Sequence, residues 1–438
     1  MNRFTKCVLP ILVAGLVLGS GAVRAENWPQ WRGPFFNGST TEKDLPVAWS
    51  KTENVVWSAA LPGYSGATPA IWGDYVFVSS PDDQKNLNLI CLNRKDGTVR
   101  WQKQVATGDR KTDQGNNMAS PSPVTDGKRV IIMFGTGDLA AFDFSGKELW
   151  SRNLGKEYGK FTIMWLYGSS PLLYKGKLYV QVLQTEKVTY PQSIDGKSER
   201  DSYLLCLDPA DGKNIWRQIR KTDAFGESME AYTTPVPYEG KKRSEIVVVG
   251  GNYVTGHDPK TGEELWRCGG LNLKSANWMR TVSSAVTSED FIYATSPKRE
   301  PLIAIKAGGS GVITDTHIAW KLTEHSPDVC TPLYYQKKLF VLDGDKQVLT
   351  CLDPVTGAVK WQGNLGVRET FRASPTGADG KIYCISMRST AVVLDAGDEF
   401  KILATNRIDE KHDHSSIAVA NGELFIRTAQ NLYCIGKK

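Results

Sequence analysis

The sequence predicts an all-β fold: an eight-bladed β-propeller of four-stranded antiparallel blades, with the ring closed by pairing an N-terminal strand with the C-terminal blade. Three observations support this prediction. A strand–turn–strand phrase recurs along the chain, a second marker recurs in phase with it, and the last repeat lacks a strand that is present near the start. Four short strands repeated about every 50 residues are typical of propellers.

The recurring phrase joins two strands through a tight turn and ends in tryptophan. It is "CLDPVTGAVKW" at 351–361, "CLDPADGKNIW" at 206–216 and "GHDPKTGEELW" at 256–266, with looser copies at 91–101 and 141–150. Asp, Pro and Gly occupy the places that a tight turn favours. We expect each tryptophan ring to fill the wedge between two blades. The tryptophans in the series are Trp57, Trp101, Trp150, Trp216, Trp266, Trp320 and Trp361.

The second marker is a small hydroxyl-rich tetrapeptide that precedes the first strand of each repeat. A short hydrophobic strand follows each copy, which indicates that the marker begins the innermost strand of a blade. Eight copies are present: "GATP" (66–69), "MASP" (118–121), "GSSP" (168–171), "YTTP" (232–235), "VSSA" (282–285), "VCTP" (329–332), "RASP" (372–375) and "HSSI" (414–417).

The final repeat explains how the ring is expected to close. Residues 415–435 contain three strands and no fourth, whereas "NVVWSAALP" at 54–62 is a strand with no blade before it. Pairing the two removes the free sheet edges that would otherwise favour aggregation.

The first 25 residues have the features of a secretory signal peptide. Arg3 and Lys6 precede the apolar run 8–19, and "AVRA" at 22–25 offers small residues at a cleavage site. The expected division is a signal peptide at 1–25, an N-terminal extension at 26–50 and the propeller at 51–438. We therefore expect an exported protein, periplasmic or secreted, without a transmembrane segment, because no later run of about 20 apolar residues exists.

Charge and cysteine content exclude some classes of protein. Cleavage after residue 25 removes three basic residues and no acid, which lowers the net charge from +6 to +3. That value and the absence of basic runs argue against nucleic acid as a partner. Seven of the eight cysteines remain, and three of them hold equivalent places in their repeats, so we expect buried, unpaired thiols. We also expect a monomer.

The D-x-x-T-G-x-x-x-W element, as at Asp353 to Trp361, resembles the PQQ-type propeller repeat over roughly residues 50–438. The family includes quinoprotein dehydrogenases and propellers that bind no quinone, such as the BamB scaffold of outer-membrane assembly. The segment "NWPQWRGPFFNGS" at 27–39 is similar to one that often precedes such propellers in exported bacterial proteins. Two departures predict irregular blades: Leu403 stands near a tryptophan position, and "KAGGSGVITDTHIAW" interrupts the fifth repeat.

The loops ahead of the eight markers converge on one mouth of the central channel, where a propeller places its binding site. Aromatic, cationic and imidazole side chains gather there, whereas the opposite turns are plain. The insertion at 184–202 emerges on the same face as a lid, a docking hairpin or a solvated loop. The residues predicted to bind a ligand are Trp165, Glu230, Trp278, Arg280, Arg372 and His414.

A metal site is a second hypothesis for this face. Two histidines separated by one residue point to the same side of a strand, so His412 and His414 of "HDH" are weak candidate ligands for zinc or copper. His325 and Asp328 are the candidate third ligands.

We predict a non-catalytic binding or scaffolding protein that requires no cofactor and takes a protein partner or a small polar or glycan ligand. The resemblance also implies an alternative, a PQQ- and calcium-dependent dehydrogenase acting on an alcohol or sugar. Its ligands would come from Glu230, Asn117 or Asn277, and Asp328, with Arg280 or Arg372 near the quinone and Trp165 or Trp278 as a floor. The chain has no adjacent cysteine pair and no hydrolase elbow, P-loop or HExxH motif.

Overall fold

The computed structural model describes residues 26–108, 111, 116–186, 200–411 and 414–437. The predicted signal peptide, His412 and most of the insertion at 184–202 lie outside the described residues. The described chain forms eight sheets, each built on four antiparallel strands, so the prediction of an eight-bladed propeller is confirmed. In seven of the sheets these four strands follow in chain order from the inside outwards, and in the eighth the outermost strand comes from the N-terminal part of the chain.

The strands of the first four blades are short inside and longer outside. Blade 1 contains Ala70–Trp72, Tyr75–Pro81, Asn86–Asn93 and Val99–Thr107; blade 2 contains Val124–Thr125, Arg129–Met133, Asp138–Asp143 and Glu148–Asn153. Blade 3 contains Leu172–Tyr174, Lys177–Val182, Tyr203–Leu207 and Asn214–Ile219; blade 4 contains Val236–Glu239, Ser244–Gly250, Tyr253–His257 and Glu264–Cys268.

The remaining blades follow the same plan. Blade 5 contains Val286–Thr287, Phe291–Thr295, Leu302–Lys306 and Ile318–Leu322; blade 6 contains Leu333–Tyr335, Lys338–Asp343, Val348–Leu352 and Val359–Asn364. Blade 7 contains Thr376–Ala378, Lys381–Ile385, Thr390–Asp395 and Ile402–Arg407. Blade 8 contains Ala418–Ala420, Glu423–Arg427 and Asn431–Ile435, with Val55–Ala60 paired antiparallel as its outermost strand.

Short helices occur only at loops of the described chain. They are the α-helices Leu154–Tyr158 and Thr314–His317 and the 3₁₀ helices Gly226–Met229 and Pro297–Arg299. Among the described residues, no helix has the length and apolar character needed to cross a membrane.

The repeated tryptophans tie each blade to the turn of the next blade. Trp216 Nε1 donates a hydrogen bond to the Pro259 carbonyl in the Asp/Gly turn of blade 4, and Gly262 of that turn lies flat against its ring. Gly262 has φ of +79°, and a Cβ there would lie 2.5 Å from the ring. The turn therefore requires glycine for both its conformation and its contact. The same bond to the next blade is made by Trp57, Trp101, Trp150, Trp320 and Trp361.

Trp266 is the exception, and the interrupted fifth repeat explains it. Blade 5 has no Asp/Gly turn to receive this ring, and Trp266 Nε1 donates instead to Glu245 Oε2 within its own blade at 2.6 Å. The interrupting residues Gly311–Val312 pair parallel with the outer strand of blade 4 as a fifth strand. The irregularity predicted for this repeat is thus local and leaves the ring intact.

The inner strands are joined by a closed belt of hydrogen bonds. In each blade one buried Ser or Thr hydroxyl accepts a hydrogen bond from the backbone nitrogen of the equivalent residue in the preceding blade, at 2.9 to 3.2 Å. The belt residues are Thr68, Ser122, Ser170, Thr234, Ser284, Thr331, Ser374 and Ser416. In blade 2 the belt residue is Ser122 and not Ser120 of "MASP", so that marker is two residues out of register.

The core consists of apolar layers between neighbouring blades, and the cysteines belong to it. All seven cysteines of the described residues are buried and unpaired. Burial raises the pKa of the Cys91 and Cys351 thiols to about 12, which keeps them protonated. They fill space as small apolar side chains, as expected from their repeated position.

The N-terminal segment crosses the end of the channel beyond the belt. Trp28 pairs with Ile71 of blade 1, and the Pro29 carbonyl accepts from Thr125 of blade 2. The buried Arg32 donates to the carbonyl oxygens of Pro332 and Pro375 in blades 6 and 7, at 2.8 and 2.9 Å. The channel is therefore closed on this side by a segment anchored to both halves of the ring.

Candidate functional site

A cavity of about 190 Å³ occupies the channel between the N-terminal segment and the loops ahead of the belt. Trp31 lines it from the N-terminal segment. Side chains two residues apart in an extended chain point the same way, so the residue two before each belt hydroxyl also faces the channel. These lining residues are Gly66, Ser120, Gly168, Tyr232, Val282, Val329, Arg372 and His414.

Four of the six predicted ligand-binding residues line this one cavity: Trp165, Arg280, Arg372 and His414. They come from blades 3, 5, 7 and 8, which are distant in sequence. The loop face therefore brings two guanidinium groups and an imidazole to a common space beside aromatic rings. None of the described residues that line the cavity is an aspartate or a glutamate.

Arg280 is mostly buried and weakly paired. Its side chain is 14% exposed, and its nearest carboxylates, Glu227 and Asp328, lie 3.5 and 3.7 Å away. These distances exceed those of a good charge-assisted hydrogen bond. Within the part of the chain that the structure describes, its buried Nη1 atom has no hydrogen-bond partner. A buried guanidinium with an unused donor favours an incoming acceptor.

Arg372 and Trp165 are held more firmly. Arg372 Nη1 lies 2.7 Å from Asp345 Oδ1. Trp165 Nε1 donates to Glu227 Oε1 at 2.9 Å, and its backbone nitrogen donates to the Tyr232 hydroxyl. These bonds fix the indole and one guanidinium before any ligand arrives.

Glu230 lies behind the cavity wall and does not line it. It is 1% exposed, and its carboxylate accepts hydrogen bonds from Met164 N at 3.0 and 3.1 Å and from the Tyr232 hydroxyl at 2.7 Å. Desolvation raises its pKa to about 7, against the smaller lowering effect of those bonds. Its place beneath Trp165 and Tyr232 makes it a positioning residue for the wall.

Trp278 lies outside the cavity, on the open surface of the mouth, with half of its surface (51%) exposed. It is two residues from Arg280 and belongs to the same loop.

The predicted metal ligands do not come together in the described chain. His325 Nδ1 lies 3.4 Å from Asp343 Oδ2 in a separate surface depression, whereas His414 lines the central cavity. Asp328 accepts from Lys298 N and neighbours Arg280. No group of three His, Cys, Asp or Glu side chains suited to a metal ion occurs among the residues that the structure describes. His412 lies outside them.

The donor set also fails to match the calcium of a quinoprotein site. Calcium takes about six to eight oxygen ligands and relies on carboxylates. Glu230 is engaged by Met164 and Tyr232, and Asp328 by Lys298, so neither is presented to the cavity. The arginines and His414 suit an anion.

Trp31 lines the cavity and was not among the residues predicted from the sequence, whereas Tyr232 belongs to the loop positions expected at the mouth. The aromatic segment at 27–39 was a signal for Trp31, but its position across the channel follows from contacts with blades 1, 2, 3, 6 and 7. Both described ends of the insertion at 184–202 attach beside the mouth: Thr162 Oγ1 donates to the Thr185 carbonyl and Arg200 Nε to the Lys160 carbonyl.

Comparisons with known proteins agree with this architecture. A family model described as outer membrane protein assembly factor BamB matches residues 38–188, 198–319 and 311–399. No curated protein sequence matches the chain.

Solved structures with the same fold include two kinds of propeller. BamB from Moraxella catarrhalis is 14% identical, with a TM-score of 0.58 over 87% of this chain and 99% of that one. Quinohemoprotein alcohol dehydrogenase from Comamonas testosteroni is 12% identical, with a TM-score of 0.64 over 94% and 81%. The quinohemoprotein alcohol dehydrogenase ADHIIG from Pseudomonas putida HK5 is 11% identical, with a TM-score of 0.65 over 94% and 80%. At these identities the similarity establishes the fold alone.

Proposed function

The chain belongs to the family described as outer membrane protein assembly factor BamB, and we propose that it is an exported, non-catalytic propeller that binds a partner or ligand through its channel mouth. The binding group on that partner is an anionic or hydroxylated one. This proposal assigns the protein to the scaffold branch of a fold that also carries quinoprotein dehydrogenases.

The composition of the cavity wall is the observation that carries the proposal. Arg280, Arg372 and His414 supply positive or proton-donating groups, the belt and its neighbours supply hydroxyls, and Trp31 and Trp165 supply apolar faces. Such a wall stabilises an anion through charge-assisted hydrogen bonds and holds a flat or apolar part beside it. Closure by Trp31 and the N-terminal segment leaves the mouth as the entrance.

The test is capture of a partner by the purified mature protein from an envelope extract, compared with the R280A/R372A double variant. We expect the variant to lose capture while its melting temperature stays nearly unchanged. A matched control is R368A/R388A, because both arginines are exposed, belong to loops of the same face and do not line the cavity. Equal loss in both double variants would indicate nonspecific charge attraction and contradict the proposal.

The alternative function is a PQQ- and calcium-dependent dehydrogenase. The cationic wall suits the carboxylates of PQQ, but the described residues do not offer calcium its ligands. Titration of the mature protein with PQQ, with and without calcium, distinguishes the two. Calcium-dependent quenching of tryptophan fluorescence with a rise in melting temperature would support the dehydrogenase; binding without calcium dependence, or no binding, supports the non-catalytic protein.

We also infer export with cleavage between Ala25 and Glu26, which leaves the extension at 26–50 and the propeller at 51–438. The contacts of Glu26 support this inference. Its backbone nitrogen donates to Oε1 of the buried Glu42, whose Oε2 accepts from Gly422 N of blade 8 at 2.7 Å. After cleavage that nitrogen becomes a charged α-amine, which pairs with the Glu42 carboxylate and fastens the new terminus to the ring.

A further inference from the structure

The mouth carries an apolar surface beside the cavity. Phe225, Leu273 and Trp278 are 53%, 66% and 51% exposed and belong to the loops that lead into blades 4 and 5. Most of the other exposed large apolar side chains of the described residues lie on outer strands, for example Ile215 and Val359, whereas Phe35 lies in the N-terminal segment and Val355 in an Asp/Gly turn. We name Phe225, Leu273 and Trp278 the platform.

The two loops of the platform are locked together by hydrogen bonds. Ser228 is fully buried; its hydroxyl donates to the Ala276 carbonyl at 2.6 Å and accepts from Met279 N at 2.8 Å. Ser228 N donates to the Asn277 carbonyl, and Gly226 packs so closely on Asn277 that a Cβ would lie 2.8 Å from that carbonyl. The exposed side chains therefore stand on a rigid base, which lowers the entropy cost of binding.

Both loops of the platform also carry residues that contact or line the cationic cavity. Trp278 and Arg280 are two residues apart in one loop, and Glu227 of the other loop accepts from Trp165 Nε1 in the cavity wall. Trp and Arg are enriched among the residues that contribute most to binding at protein interfaces, and Phe is enriched in interface cores. A small anion fills only the cavity and leaves the platform exposed.

We propose that the mouth binds a segment of a partner protein that places a carboxylate in the cavity and bulky apolar side chains on the platform. This inference rests on the proposed function and names the partner's chemistry. The carboxylate takes the unused Nη1 donor of Arg280, and the apolar side chains cover Leu273 and Trp278, whose burial against apolar atoms is favourable.

The experiment is selection from a random peptide library displayed on phage against the immobilised mature protein. We expect enrichment of sequences that combine Asp or Glu with Trp, Phe or Leu. A synthetic peptide of the enriched sequence should lose about tenfold in affinity or more when its acid is replaced by the amide, in line with the loss of a charge-assisted bond. The same peptide should lose a similar factor on the L273S/W278S variant and on R280A/R372A.

The control variant I215S/V359S removes two exposed apolar side chains from outer strands and should bind the peptide as the unaltered protein does. Melting temperatures check that every variant is folded. Enrichment of no acidic and apolar sequences, or a peptide that binds L273S/W278S unchanged, would overturn the inference. Citrate or phosphate that binds through Arg280 and Arg372, with no peptide enriched, would retain the proposed function and assign the cavity to small anions.

Discussion

Replacing Glu230 with glutamine should change how the stability of the propeller depends on pH. Burial raises the pKa of Glu230 from 4.5 to about 7. Between these two pH values the Glu230 carboxyl is protonated in the folded protein and ionised in the unfolded chain. Stability is therefore highest while both states are protonated, falls as pH rises from 4.5 to 7, and stays level above 7. Glutamine remains neutral throughout and removes this fall.

The magnitude follows from the two pKa values. Between pH 5 and pH 8 the ionisation of Glu230 should lower the unfolding free energy of the protein by about 2–3 kcal/mol. An unfolding entropy near 2.1 cal/mol/K per residue over roughly 400 residues converts this into about 3 °C of melting temperature. Glutamine keeps one oxygen that accepts from Met164 N, but it loses part of the hydrogen bonding to Tyr232. This loss should lower the unfolding free energy of E230Q by about 1 kcal/mol at every pH.

The assay is the melting temperature of both proteins by calorimetry at a series of pH values from 5 to 8. The difference between E230Q and the unaltered protein should rise by about 3 °C across the series. E53Q is the matched control, because Glu53 is exposed, and its difference should stay constant. A difference for E230Q that is flat with pH, or that falls, would refute the argument that desolvation controls this carboxylate. The other charged groups facing it, Glu227 and Arg280, are present in both proteins.

Three further changes test the ring itself. T234V leaves the buried Ser170 nitrogen without its acceptor and should lower the unfolding free energy by about 1–3 kcal/mol. T234S keeps the hydroxyl and should lower the unfolding free energy less. The denaturant midpoints of the two variants measure this difference. G262A places a Cβ against the Trp216 ring at positive φ and should lower the unfolding free energy by about 1–3 kcal/mol more than G380A does. Gly380 is the control because it also has a positive φ but has open space around it. Equal losses of unfolding free energy in the two variants would contradict the packing argument. The intact mass of the exported protein should correspond to a chain that starts at Glu26. E42Q should lower the melting temperature of this protein more than it lowers that of a variant with Gly-Ser added before Glu26, because the addition moves the α-amine away from Glu42. Equal decreases in melting temperature would contradict the pairing of the α-amine with Glu42.

Much of the fold could be predicted because its signals are local. The Asp/Gly turn and the tryptophan lie within eleven residues, and a short, continuously hydrophobic strand follows each marker. Trp216 packs on Gly262, which belongs to the copy of the phrase in the next blade. The repeat therefore predicted that the tryptophan ring fills the space between two blades, but it did not predict that the ring contacts the Asp/Gly turn of the next blade. The register of blade 2 was missed because "SPSP" offers two hydroxyls, and only the belt selects Ser122.

The placement of the candidate site was predicted in part. Trp165, Arg280, Arg372 and His414 line one cavity, and their role in ligand binding stays a prediction. The rule that loops ahead of the markers converge predicted this placement. It failed to separate them from Glu230, which faces inwards, and from Trp278, which faces solvent, because those directions depend on packing against Met164, Tyr232 and the neighbouring loop. His325 lies beside Asp343 in a separate surface depression and does not reach the cavity that His414 lines.

By itself, the sequence determined the number of blades, through the number of repeats, and the strand and turn boundaries in outline, through the spacing within each repeat. Only the tertiary structure decided that Arg32 and Trp31 close the channel, that eight hydroxyls form one belt, and that the described lining of the cavity includes two arginines and no carboxylate. Each of these features brings together residues that are far apart in the sequence, such as Ser416 and Thr68, which are 348 residues apart. Their contacts form only when the ring of blades closes, and no local sequence pattern encodes that closure.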